Sequence, residues 1–225
     1  MNKVELNLFA SDNFLYNEAF KVLRTNFQFC GQDIKSVVIT SYEENEGKTT
    51  VALYLSKALS ELGKKVLLID ADMRKSVLAG RNSNFVNAPG LSELLTGMSK
   101  TEDIIFNTQY EGMHIIFAGK YPPNPVELVS SKYFDTLLDT VGKSYDYIII
   151  DAPPLGRVID AAVIASKTDG SILVIDENMV KIKEAQGIVS QLKKSGSNIL
   201  GVVKNRVRRK ESRYYKKSYS ARRKK

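Results

Sequence analysis

The chain has 225 residues, 43% hydrophobic and 26% charged, which is enough for one α/β domain with a sizeable core. No apolar run approaches the roughly 20 residues of a membrane-spanning helix, and an N-terminus mixing Asn, Lys, Glu and Leu has no signal-peptide pattern. A single cysteine, Cys30, excludes an internal disulfide and suits a reducing cytoplasm, and a single histidine, His114, excludes a multi-histidine metal site.

Residues 13–28 read as an amphipathic helix capped by Ser11 or Asp12. Phe14, Leu15, Ala19, Phe20, Leu23 and Phe27 fall near one face, and Glu18, Lys21 and Arg24 follow one another by threes on the polar side. A solvated face is the plain account of that ridge. Val37-Val38-Ile39 then reads as a strand. A polar turn follows, Gly47-Lys48-Thr49-Thr50 comes next, and Val51–Leu62 has helical spacing. Strand, loop and helix give a Gly-Lys-Thr its meaning as a phosphate cradle. The helix start offers unpaired N–H groups and a partial positive charge. Gly47 lets the backbone approach an anion, Lys48 can reach the β- and γ-phosphates, and the Thr49 hydroxyl can sit on Mg²⁺. Tyr42 stands where the strict motif has its first Gly, and Asn45 tolerates the left-handed turn the loop needs.

Lys64–Ile69 predicts a buried strand ending in Asp70 and Asp72, where ligands of open α/β sheets bind. Pro89–Gly97 suggests one or two helical turns, Met113–Phe117 a strand containing His114, and Pro122-Pro123-Asn124-Pro125 a rigid turn. A helix from Val126 continues from about Tyr133 to Val141. Tyr147–Asp151 is a second buried strand ending in a carboxylate, stopped by Pro153 and Pro154. A short helix at 158–166, a strand at Ser171–Asp176, a helix at Lys181–Lys194 and a strand at Asn198–Lys204 complete the alternation, with Asn205 after the last strand. This order predicts an α/β fold with a mostly parallel sheet flanked by helices.

Beyond residue 205 the apolar pattern stops. Residues 206–225 carry eleven Lys or Arg against one Glu, so the net charge of +8 leaves about −2 on residues 1–205. That is a nearly neutral domain with a basic tail, which weakens the case for nucleic-acid binding by the globular part. Tyr214, Tyr215 and Tyr219 lie within six residues of this tail, which has too little apolar surface to fold alone. As a bare pattern it is an electrostatic arm with aromatic contacts.

Taken together, Glu46-Gly47-Lys48-Thr49-Thr50, Leu68-Ile69-Asp70-Ala71-Asp72-Met73-Arg74-Lys75 and Ile148-Ile149-Ile150-Asp151-Ala152-Pro153-Pro154 resemble the Walker A, Walker A′ and Walker B motifs of the bacterial protein-tyrosine kinases of capsular and exopolysaccharide assembly. The segment from Gly119 to Ser131 and the tyrosine tail are also similar to that family, and the likeness covers nearly the whole chain. The resemblance implies a P-loop NTPase fold of the SIMIBI, partitioning-ATPase-like kind. Residues 1–205 would be the kinase domain with an N-terminal oligomerisation helix, and 206–225 a flexible tail.

It further implies ATP and Mg²⁺ as cofactors. Asn45, Glu46, Gly47, Lys48, Thr49 and Thr50 would hold phosphate, and Asn205 would contact adenine. Thr49, Asp72 and Asp151 would hold the metal. Lys48, Asp70 and Asp72 would be catalytic, with Asp70 accepting the tyrosine proton. Tyr214, Tyr215 and Tyr219 would be phosphorylated in trans. Glu18, Lys21 and Arg24 match the family's Glu-x-x-Arg-x-x-Arg interface, with Lys in place of the middle Arg, which loses the planar fork. Implied partners are further copies in a ring-like homo-oligomer, a transmembrane polysaccharide co-polymerase or adaptor with an activating cytoplasmic tail, and a cognate tyrosine phosphatase, with no nucleic acid. The expected location is the cytoplasm, at the inner face of the plasma membrane through the adaptor. A partitioning or cell-division ATPase switch shares the Walker motifs and needs no tyrosine tail. A non-catalytic module that uses only its basic tail is the third reading.

Overall fold

A computed structural model describes residues 3–6, 14–81, 88–177 and 179–207. Tyr214, Tyr215 and Tyr219 lie outside the described residues. The sheet contains β1 (Ser36–Ser41), β2 (Val66–Asp70), β3 (Ile105–Asn107), β4 (Met113–Ile116), β5 (Tyr147–Asp151), β6 (Gly170–Asp176) and β7 (Ile199–Asn205). Their order is β3-β4-β2-β5-β1-β6-β7, and every pairing is parallel except β3 with β4. The apolar runs Val66–Ile69 and Ile148–Ile150 are buried on both faces, as central parallel strands require.

The helices are α1 (Phe14–Gln28), α2 (Lys48–Ser60), α3 (Val77–Arg81), α4 (Leu91–Leu95), α5 (Thr101–Ile104), α6 (Pro125–Ser130), α7 (Lys132–Gly142), α8 (Asp160–Ala165) and α9 (Ile182–Lys194). Alternation along β1 divides the core. Val37 and Ile39 join a cluster with Phe27 of α1, Leu53, Leu55 and Leu59 of α2 and Leu78 of α3. Val38 joins the opposite cluster, with Leu137 of α7, Ile164 of α8 and Leu192 of α9. At roughly 25 cal/mol per Å² of apolar surface buried, these two layers are the main source of stability. None of the described helices is long and apolar enough to cross a membrane.

The sequence-based boundaries hold to within a few residues for the long elements. Helix α2 begins earlier than the apolar spacing indicates, at Lys48, because the loop feeds directly into it. Ala19, expected on the apolar face of α1, is exposed. The short α3, α5 and β3 were not anticipated. β3 runs antiparallel on the margin of the sheet, and residues 3–6 run along it. Lys3 bridges Asn107, Val4 N donates to Asn107 O at 2.8 Å, and Leu6 exchanges two hydrogen bonds of 2.9 Å with the Gln109 side chain. His114 lies in β4 with Nδ1 2.8 Å from the Tyr145 hydroxyl, and burial lowers its pKa.

Candidate active site

The carboxyl ends of β1, β2, β5 and β7 meet at one end of the sheet. The Thr40 hydroxyl donates to Pro153 O at 2.8 Å, tying the end of β1 to the segment after β5. The loop then turns through two left-handed residues, Asn45 (φ 64°) and Gly47 (φ 93°). Asparagine is among the few side-chain-bearing residues that adopt this conformation readily. Gly47 is needed twice over, because a Cβ there would stand 2.1 Å from Asn205 Nδ2. Glu46 folds beneath the loop, fully buried, where Oε2 accepts Tyr42 N–H at 2.9 Å. Its side chain is therefore a brace, and only its backbone is available to a phosphate. Burial raises its pKa despite that bond.

Lys48 opens α2 and turns across to the ends of β2 and β5. Its Nζ lies 2.9 Å from Asp72 Oδ2 and 3.7 Å from Asp151 Oδ1, with all three side chains nearly buried. Burial alone would lower the Lys48 pKa, but Asp151 and Asp72 outweigh it and hold the ammonium above its ordinary value. Asp70 is fully buried behind Asp72. It accepts Asp72 N–H at 3.1 Å through Oδ1 and the Ser76 hydroxyl through Oδ2. Burial, reinforced by Asp151, pushes the Asp70 carboxyl up, and burial pushes Asp151 up as well. Asp151 Oδ1 is buried and accepts no hydrogen bond.

Above these groups lies a cavity of about 440 Å³. Asn45, Gly47, Lys48, Thr49, Thr50 and Asp72 line it, and so does Asn205. Asp70, Asp151 and Glu46 stand behind the lining. Asn205 Nδ2 donates to Glu46 O at 2.8 Å, which fixes the loop from the β7 side. The Glu18-Lys21-Arg24 ridge is separate from the cavity lining. Lys21 pairs with Glu18 at 2.7 Å, and Arg24 Nη1 donates to Ala58 O at 2.8 Å, tying α1 to α2.

Several groups at the site escaped the sequence reading. Tyr16 lines the cavity from α1 and packs edge-on against Tyr54, with burial pushing its phenol up to about 12. Arg74 makes two contacts of 3.1 and 3.3 Å with buried Asp160. Glu43 and Glu44 of the loop pair with Arg157 and Lys75 at 2.7 and 2.6 Å. Arg206 pairs with buried Asp176 at 2.8 Å. The sequence signal for the loop pairs was the charge density between 43 and 46 and after Asp72, and Tyr16 and Arg206 had none.

The donor set suits a magnesium ion. Such an ion keeps several waters and takes one or two carboxylates plus phosphate oxygens, so a dedicated cage is unnecessary. Among the described residues there is no group of three or more His, Cys, Asp or Glu shaped as a metal cage. Asp151 Oδ1, ion-paired with Lys48 at 3.7 Å but accepting no hydrogen bond, keeps acceptor capacity that a metal-bound water would use.

The AAA domain family model matches residues 35–200. Over 190 residues the chain is 40% identical to a protein named tyrosine-protein kinase CpsD from Streptococcus agalactiae, covering 84% of this chain and 83% of the relative. Among solved structures it is similar to the chimerical protein CapA2B2, with a TM-score of 0.80 and 32% identity over 91% of this chain and 96% of that one. The septum site-determining protein MinD from Pyrococcus horikoshii OT3, complexed with Mg-ADP, gives a TM-score of 0.65 and 31% identity over 79% and 72%. A P-loop whose lysine is buried among the carboxylates of two neighbouring strands, on a chain with these relatives, means that the protein belongs to the bacterial protein-tyrosine kinases, nucleotide-binding members of the AAA domain family.

Proposed function

We propose that this kinase transfers the γ-phosphoryl group of ATP to tyrosines in the basic tail of a neighbouring copy, and that this reaction regulates capsular or exopolysaccharide synthesis and export. The observation that carries the proposal is the burial of Lys48 between Asp72 and Asp151 at the first turn of α2. Lys48 and the N–H groups of residues 45–50 bind the β- and γ-phosphates and stabilise charge that develops during transfer. Thr49, with Asp72 and Asp151 acting through water, would hold Mg²⁺, which supplies charge neutralisation on the phosphate oxygens. A carboxylate takes the proton as the tyrosine oxygen bonds to phosphorus and the bond to the ADP oxygen breaks. Asp70 is our assignment for that carboxylate, since its raised pKa makes it a stronger base. It must first leave the Ser76 hydroxyl. Asp72, which already lines the cavity, is the competing acceptor.

Residues 1–205 form the kinase unit in this scheme, and 206–225 are both substrate and switch. The tail carries +10 and suits a site rich in carboxylates. Each phosphate adds roughly −1.5 to −2 charges, so three would cancel about half the tail's charge and repel it from the site. Glu18, Lys21 and Arg24 then serve a ring-like homo-oligomer that loosens on phosphorylation. A transmembrane adaptor would activate the kinase at the inner face of the plasma membrane, and a cognate phosphatase would reset it.

Replacing Tyr214, Tyr215 and Tyr219 together by Phe is expected to abolish most autophosphorylation. When Lys48→Met protein is mixed with an active chain lacking the tail, the inactive chain is expected to gain phosphate on its tail, read by intact mass. Label on Tyr16 or Tyr54 alone would overturn the proposal. The likeness to MinD favours one second reading, an ATP-driven dimerisation switch. That reading requires phosphate release without added mass.

A further inference from the structure

The direction of a bound nucleotide follows from the loop. Lys48, which would hold the terminal phosphates, points toward the ends of β2 and β5. The sheet order puts β2 and β5 on one side of β1, and β6 and β7 on the other. Phosphates gathered at Lys48 therefore leave the nucleoside to extend toward β6 and β7. The residues lining that end of the cavity are Asn205 and Arg206.

Asn205 is already engaged there: Nδ2 donates to Glu46 O, and Oδ1 accepts Arg206 N–H at 2.9 Å. Arg206 is built differently. Its backbone adopts φ 53°, a left-handed conformation unusual for a residue with a long side chain and sustained only where the surroundings impose it. The Asn205 side chain holds its N–H. Its Nη1 donates to Asp176 Oδ2 at 2.8 Å, where Asp176 is 2% exposed at the end of β6 while the arginine side chain remains 53% exposed. One edge of the guanidinium is thus anchored to a buried carboxylate, and Arg206 lines the cavity with its side chain half exposed. The planar, charged face of a guanidinium stacks on an aromatic ring, which an ammonium does not reproduce.

We propose that Arg206, held in a left-handed backbone turn and locked by Asp176, is the platform on which the nucleobase of the bound nucleotide stacks. This rests on the site being a nucleotide site and adds a specificity-determining residue to it, with Asp176 as the positioning residue behind.

The test uses the full chain and calorimetric affinities for Mg-ADP and for Mg-tripolyphosphate, which lacks base and sugar. Arg206→Ala is expected to weaken ADP binding roughly tenfold and leave tripolyphosphate unchanged. Arg206→Lys keeps the charge and loses the plane, so it should fall with alanine. Asp176→Asn should weaken ADP in the wild-type background and add no further loss to Arg206→Ala. Equal loss of both ligands would mean that the loop itself is damaged, and the platform is wrong. Wild-type ADP affinity in Arg206→Lys would reduce the guanidinium to a point charge and also overturn it. A further loss from Asp176→Asn on top of Arg206→Ala would remove Asp176 from the positioning role. Kinase activity is a separate readout. A wild-type chain that binds both ligands but never phosphorylates tyrosine contradicts the proposed transfer and leaves the platform standing.

Discussion

On the β2–β5 side of the loop, Asp70, Asp72 and Asp151 crowd the single ammonium of Lys48, all nearly inaccessible to water. On the β6–β7 side, one buried carboxylate, Asp176, meets one half-exposed guanidinium. The first wall is left with two uncompensated negative charges when its carboxylates are ionised, and on the second the strand-end carboxylate is paired. Burial makes the imbalance costly, which is why Asp70 and Asp151 are pushed toward their protonated forms. A divalent cation would supply the missing charge. The electrically incomplete wall is suited to chemistry, while the paired one is suited to holding a ligand still.

The largest blow to this contrast is Lys48→Met. Phosphotyrosine formation should fall at least about 100-fold. Removing one partner from a buried charge cluster should also cost about 3–5 kcal/mol of stability, read as a lowered melting midpoint. Full stability with full activity would erase the distinction between the walls. Asp70→Asn and Asp151→Asn sharpen it next. Asp70→Asn should reduce the single-turnover rate roughly 100-fold with little change in nucleotide affinity, since a proton acceptor acts mainly in the transition state. Asp151→Asn should also weaken Mg²⁺-dependent binding by calorimetry. Equal loss of binding in both would merge their roles.

Two variants away from both walls act as controls. Glu18→Ala with Arg24→Ala should weaken self-association roughly tenfold by light scattering of unphosphorylated protein, with the cavity intact. An unchanged mass, with the wild type clearly oligomeric, would return the ridge to a solvated face. The smallest effect concerns His114. Its folded pKa is lowered by burial, so the unfolded chain takes up the proton first. Stability is therefore lost as pH falls from about 6.5 through the lower folded value. His114→Phe should shrink the drop in melting midpoint between pH 7 and pH 5 by roughly 1–2 °C.

The two walls also differ in how far they can be read from sequence. Asp70, Asp72 and Asp151 announce themselves because each ends a run of buried aliphatic residues, and strand ends converge in a parallel sheet. Gly47 and Asn45 are legible through backbone chemistry, and both take left-handed conformations. Asp176 ends a buried aliphatic run in the same way, but nothing in the sequence marks Arg206 as its partner. They are 30 residues apart, and nothing in an arginine signals a positive φ. The pairs Arg74–Asp160 and Arg157–Glu43 bridge 86 and 114 residues, so only the fold reveals them. Asp70 was legible as a strand-end carboxylate but not as a buried one turned toward Ser76. β3 was missed because three residues cannot display a period.

The strip formed by residues 3–6 has a consequence for handling the protein. β3 ends the sheet on that side, and an unpaired strand margin is a template on which another chain can add. Val4 and Leu6 are each 3% exposed, and the backbone of Val4 occupies the Asn107 carbonyl. Trimming the chain to begin at α1 would bare both the apolar floor and the hydrogen-bonding rim of β3. Such a shortened protein should clump on storage even while its nucleotide cavity stays intact, so truncation and fusion boundaries belong ahead of Lys3.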